Sequence, residues 1–208
     1  MPELGNVTEY RGIEGLVYAE VTNDDNAIGE GKGYITGTVK SLVGIAELSR
    51  TTESSSEPHY YDNQPMIVIN STGSDEVTLT TSALPMDVLA EITGQTLDEA
   101  TGMVIEGARD NKYFALGYKT KKTDGSEVFV WRLKGQFNIP DSTHATEDDG
   151  TDANGQELTY TGISTTHKFT KNSKGAKAIN VPADTTKVAQ LNKFFDTVQT
   201  PDTVTAAA

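Results

Sequence analysis

Residues 112–137 read KYFALGYKTKKTDGSEVFVWRLKGQF, and how this stretch folds decides the architecture. Apolar and polar side chains alternate on both sides of Asp124-Gly125, as in two strands joined by a tight turn. A two-residue type I′ loop needs positive φ at both central positions, which Asp-Gly tolerates, and it sets Thr123 opposite Ser126. In that register Thr120 lies across from Phe129, Tyr118 from Trp131, Leu116 from Leu133 and Phe114 from Gly135. Phe114, Leu116, Tyr118, Phe129, Trp131 and Leu133, continued by Phe137, then form one inward face. The opposite face carries Ala115, Gly117, Lys119 and Lys121 against Val128, Val130, Arg132 and Lys134, a mixed, basic surface expected to meet solvent or a partner.

Upstream, Met103 to Glu106 forms a short strand, and before it the period becomes that of a helix. Pro85 suits a first helical turn, Val88, Leu89 and Ile92 share one side, and Gly94 supplies the stop, so one short helix is expected to cover an end or face of a sheet. Two strands, Pro65 to Ser71 and Glu76 to Thr81, precede it, joined at Ser71–Ser74. The polar run 50–63, RTTESSSEPHYYDN, reads as a long loop arm, of the kind that is functional or disordered when found inside a compact domain. Further back lie a strand at Thr38–Thr51 that Gly44 bends, a glycine-rich turn region, and a strand at Gly15–Thr22. Gly31-Lys32-Gly33 lacks the spacing and the Ser/Thr of a phosphate-binding loop. Residues 1–14 hold few core-forming side chains and read as an N-terminal arm.

Downstream, residues 140–155, PDSTHATEDDGTDANG, form an exposed acidic loop, and Gln156–Thr170 a threonine-rich strand. Residues 171–208 are a C-terminal extension in which Val188, Leu191, Phe194, Phe195 and Val198 suggest a helix over 186–198, ahead of a frayed PDTVTAAA tail. The whole is mainly β, a sandwich or barrel-like sheet with one flanking helix, and 208 residues suit a single domain.

Little in the chain points to chemistry. His59, His144 and His167 are far apart in sequence and read as solvated or loop histidines, and no nucleophile elbow is present. Glu147, Asp148, Asp149 and Asp152 resemble a calcium loop, but alignment on Gly155 puts Gly150 and Thr161 where an EF-hand needs Asp and Glu, so a solvated loop that does no chemistry is expected. With no cysteine there is neither a disulfide framework nor a thiolate metal site. Catalytic residues, cofactors and metals are accordingly expected to be none. Thirty acidic against seventeen basic residues give a formal charge of −13, which argues against a grip on nucleic acid through phosphates. No apolar run has the length of a membrane span, and MPELGNVTEYRG lacks the apolar core of a signal peptide, so synthesis and folding in a cytosol are expected.

Several of these residues carry a resemblance. Tyr60-Tyr61-Asp62-Asn63 after a serine-rich arm, the helix ending Ile92-Thr93-Gly94, Ala115-Leu116-Gly117-Tyr118 before Asp124-Gly125, and Val130-Trp131 followed by Lys134-Gly135 and Phe137 together look like the major tail proteins of long-tailed bacteriophages with non-contractile tails. The likeness runs in order over roughly residues 15–170 and rests on turns and core aromatics. It implies a structural virion protein made in the host cytoplasm: hexameric rings whose inner sheets join into a barrel and which stack into a tail tube. Such a tube encloses the tape-measure protein, meets tail-end proteins and conducts DNA without binding it. Under this reading Arg50, Pro58, His59, Tyr60, Tyr61 and Asp62 are inter-ring contacts. Lys119, Lys121, Arg132 and Lys134 are then expected against an acidic neighbour or on the tube exterior. The alternative from another class is a monomeric β-sandwich that binds carbohydrate or a receptor through Tyr60-Tyr61 and the acidic loop. An enzyme ranks third.

Overall fold

The computed structural model describes residues 7–27, 29–141 and 155–207. Its elements in chain order are β1 (Tyr10–Asp24), β2 (Tyr34–Thr36), β3 (Lys40–Ser41), β4 (Ile45–Tyr61), β5 (Gln64–Thr81), α1 (Met86–Thr93), β6 (Thr96–Asp98), β7 (Met103–Ile105), β8 (Tyr113–Lys122), β9 (Glu127–Phe137), β10 (Gln156–Gly162) and β11 (Ala178–Pro182), then a 3-10 turn at Leu191–Lys193. The protein is mainly β with one α-helix. The large sheet is antiparallel throughout, in the order β2-β1-β8-β9-β10-β5-β4. Among the described residues it does not close into a barrel, and the fold is sandwich-like.

The turn at Asp124-Gly125 is one residue longer than the two-residue type. Gly125 NH donates to the Lys122 carbonyl, Lys122 NH donates to the Ser126 carbonyl, and of the turn residues Gly125 alone has positive φ, at 82°. This is a type I turn closed by a left-handed glycine, a three-residue loop. It slips the register by one, so that Tyr118 faces Val130, Gly117 faces Trp131 and Lys119 faces Phe129. A bulge between Phe114 and Leu116 restores the expected Phe114–Gly135 pair at the far end. Because side chains alternate, a one-residue slip moves the strand partners to opposite faces.

The single inward face expected for the hairpin is therefore two. Phe114, Leu116, Tyr118, Val130 and Phe137 join Val77, Leu79, Leu158, Tyr160 and Ile92 in a core between the hairpin and the β10-β5-β4 branch. Phe129, Trp131 and Leu133 point the other way, into a second core with Phe169, Val181, Val188, Phe194 and Val198. The surface expected to be solvated is divided in the same way: Val130 faces the first core, while Ala115 joins the second, against the C-terminal segment. β11 pairs with the first half of β9 and β10 with the second half. Gly117 lies beneath the indole of Trp131, and a Cβ there would stand 2.9 Å from the ring.

Other expectations need correction. Tyr10–Glu14, read as part of a loose arm, pair with Lys119–Lys122 of β8. The strand expected over 38–51 is broken at 42–44, and the separate pair Pro65–Ser71 and Glu76–Thr81 is one continuous strand, β5. The helix expected over 186–198 is a series of turns, and the tail expected to fray is tied back by a Val188–Ala206 bridge. Helix α1 has the expected stop, Gly94 at φ 69°, with its NH on the Glu91 carbonyl. His144 and the acidic cluster Glu147–Asp152 lie outside the described residues.

Candidate assembly surface

The polar run 50–63 is no loop. It is the outer half of β4, paired with β5 from Ser54–Thr72 through Tyr61–Gln64. Asp62 and Asn63 close the hairpin with φ of 48° and 62°, the positive pair that a type I′ turn demands. β10 accompanies β5 only as far as Asp75, so beyond that residue the two strands stand alone. At ~3.3 Å per residue the free ribbon reaches ~30–40 Å from the body.

Its exposure is unusual in kind. Met66, Ile67, Val68 and Ile69 are between 51 and 61 % exposed, and Tyr60 and Tyr61 are 64 and 53 % exposed. Four consecutive apolar residues on a two-stranded ribbon wet on both faces make a patch that isolated monomers rarely carry, and such a ribbon is marginal on its own. The sequence suggested a strand at Pro65–Ser71 paired with Glu76–Thr81. The missed signal is the Asp-Asn pair before Gln64, together with a partner strand, ESSSEPH, that has no apolar face to offer.

Arg50 does not share the ribbon with the residues grouped with it. It pairs with Val77 on the body, ~26 Å of extended chain from Pro58. Pro58, His59, Tyr60, Tyr61 and the turn residue Asp62 are together near the tip.

The root of the ribbon is a charged knot. Asp75 is 4 % exposed and accepts from the Arg132 Nη1 at 2.7 Å, with Lys177 Nζ at 3.4 Å and Arg50 Nη1 at 3.8 Å. Burial alone would raise its carboxyl, but hydrogen bonds from Thr52 and Arg132 and the charges of Arg132 and Lys177 outweigh this and hold it below the ordinary carboxylate range. Just beyond, β4 bulges at Glu53, whose carboxylate accepts from the Ser74 NH and hydroxyl. Arg132 is 3 % exposed, also donates to the Tyr118 hydroxyl, and leaves its Nε without a partner among the described residues.

Four basic side chains of β8 and β9, Lys119, Lys121, Arg132 and Lys134, have carboxylate partners within the chain. Lys119 and Lys121 each reach Glu14 and Glu127, and Lys134 meets Asp24 at 2.5 Å. His167 lies against Phe169 with Nδ1 2.8 Å from the Asp25 carbonyl, a structural placement. No cluster of metal-ligating side chains occurs among the described residues. None of their helices is long and apolar enough to cross a membrane.

Among the described residues the protein is an open β-sheet that carries a bare apolar ribbon. The family model for phage tail tube proteins matches residues 40–203, and the chain belongs to that family. It is a structural tail tube protein of the phage virion, from a family that builds a tube by self-assembly. No curated protein matches the chain.

Proposed function

We propose that this chain, one tail tube domain over residues 1–208, forms hexameric rings that stack into the tail tube, with the β4–β5 ribbon of one ring reaching the next. The tube encloses the tape-measure protein during assembly and then conducts DNA. The observation that carries this reading is the free ribbon with Met66–Ile69 and Tyr60-Tyr61 bare, in a chain of the tail tube family. A ribbon that buries nothing on its own body gains stability by lying against another copy. The binding-module alternative would set Tyr60-Tyr61 in a recognition surface, whereas both stand exposed near the tip of a two-stranded ribbon.

The test removes the ribbon. Replacing residues 54–72 by Asn-Gly keeps a hairpin and alters loop closure only slightly, so the stability of the isolated chain should change by less than ~1 kcal/mol. The far-ultraviolet strand signal should fall in proportion to the residues lost, with the melting temperature unchanged. Under conditions in which the parent polymerises, electron microscopy should show rings or short stacks only. Tubes of normal length from the trimmed protein would refute the ribbon's role.

A further inference from the structure

The sheet fails to close along a seam between β1 and β4, and the seam is a slot. Ile13 and Tyr10 of β1 line one side, Ala46 and Leu48 of β4 the other, and Val128 and Val130 of β9 the floor, enclosing about 770 Å³. A second hollow continues it past Leu16 and Val43. Both flanking strand edges are unpaired here. Among the described residues β1 takes its second-side partners only from Leu16 onward, and β4 pairs with no strand other than β5. Arg50 and Arg132 stand at one end of the slot, where two guanidinium groups and Lys177 share the single carboxylate of Asp75. Glu47 also lines the slot.

We infer that this slot receives the ribbon of a second copy, with Ile67 and Ile69 on the apolar floor and Glu57 on Arg50. The inference rests on the ribbon being the contact between copies, and it names what the ribbon contacts. Glu57 pairs with Ile69 and His59 with Ile67, so alternation puts Glu57, His59, Ile67 and Ile69 on one ribbon face, with the acid at its root side beside Ile69. The slot offers the complement, aliphatic side chains beside a surplus of guanidinium charge. Of the ribbon's acids, Glu53 is already taken by Ser74 and Asp62 is in the turn, whereas Glu57 makes no ion pair among the described residues. A strand edge beside an apolar pocket is also the usual acceptor for an added strand.

Two experiments test this on the full chain. The protein has no cysteine, so mixed tubes of Ala46→Cys and Ile67→Cys chains treated with a bifunctional maleimide can link only between copies. A dimer band is expected from the mixture, and no comparable band from either variant alone. In a charge exchange, Arg50→Glu and Glu57→Arg should each shorten tubes several-fold, and the double variant should recover most of the parental length, with circular dichroism confirming that all three fold. Tubes of parental length without the mixed dimer, or a double variant no better than the worse single one, would overturn the slot and leave the ribbon's role standing. Normal tubes from the ribbon-trimmed chain would overturn both.

Discussion

Trp131 shows how much of the packing depends on one side chain's direction. Its indole is fully buried, its Nε1 donates to the Phe194 carbonyl at 3.1 Å, and Phe195 lies 5.7 Å away ring to ring. Trp131→Ala should therefore cost ~3–5 kcal/mol and, unlike a change in the other core, should loosen the C-terminal segment first. Limited proteolysis checks this: cleavage after residue 183 should precede loss of the β1-β8-β9 layer, and equal protease resistance would count against it. Alternation in the sequence marks Trp131 as part of an apolar stripe. It could not say which layer covers the stripe, because that depends on whether the turn at Asp124-Gly125 holds two residues or three, and Asp-Gly suits both. Asp75 makes a second residue-scale case. Its carboxyl is held below the ordinary value of 3.8, so the stabilisation is fully present above that value and is lost as pH falls through the lower folded-state value. Asp75→Asn leaves Arg132 buried without its anion and should cost ~3–5 kcal/mol at neutral pH, with a flatter acid limb in a plot of melting temperature against pH. An acid limb as steep as the parent's would assign the acid sensitivity elsewhere.

At the scale of elements, legibility followed how local each signal was. Helix α1 is readable because its apolar spacing and the Gly94 stop lie within nine residues of each other. The ribbon was not readable as a hairpin because the turn pair is Asp62-Asn63, a weaker signal than Asp-Gly, and because one strand is polar throughout while the other is apolar. Half-buried strands alternate, and a ribbon wet on both faces has no reason to. The C-terminal segment failed as a helix for a different reason. Val188, Leu191, Phe194, Phe195 and Val198 do reach one core, but through turns. Asp184 holds the NH and hydroxyl of Thr186, and Thr200 and Thr203 bond each other's backbone, local bonds that compete with helix formation. Of the surface expected to join copies, Tyr60-Tyr61 was visible as aromatic residues in a polar run. Met66–Ile69 was not, since apolar residues carry no mark in sequence of whether they face a core or a neighbour.

At the scale of the whole molecule, the proposed passage of DNA asks how a tube of this protein would let a polyanion through without holding it. The chain carries thirty acidic and seventeen basic residues, and among the described residues nine basic ones, including Lys119, Lys121, Arg132 and Lys134, lie within ion-pair reach of a carboxylate of the same chain. Phosphate binding requires cations free to displace condensed counterions, and a lysine already shared by Glu14 and Glu127 must first give up both. With excess negative charge repelling DNA at longer range, assembled tubes are expected to retain no duplex even at ~50 mM salt, where electrostatic binding is strong and screening is weak. Co-sedimentation of labelled DNA with tubes measures this directly, and the free fraction should equal that without protein. Retention that collapses as salt is raised would show a cluster of open cations in the assembled tube, and the slope of log affinity against log salt would count the phosphates they neutralise.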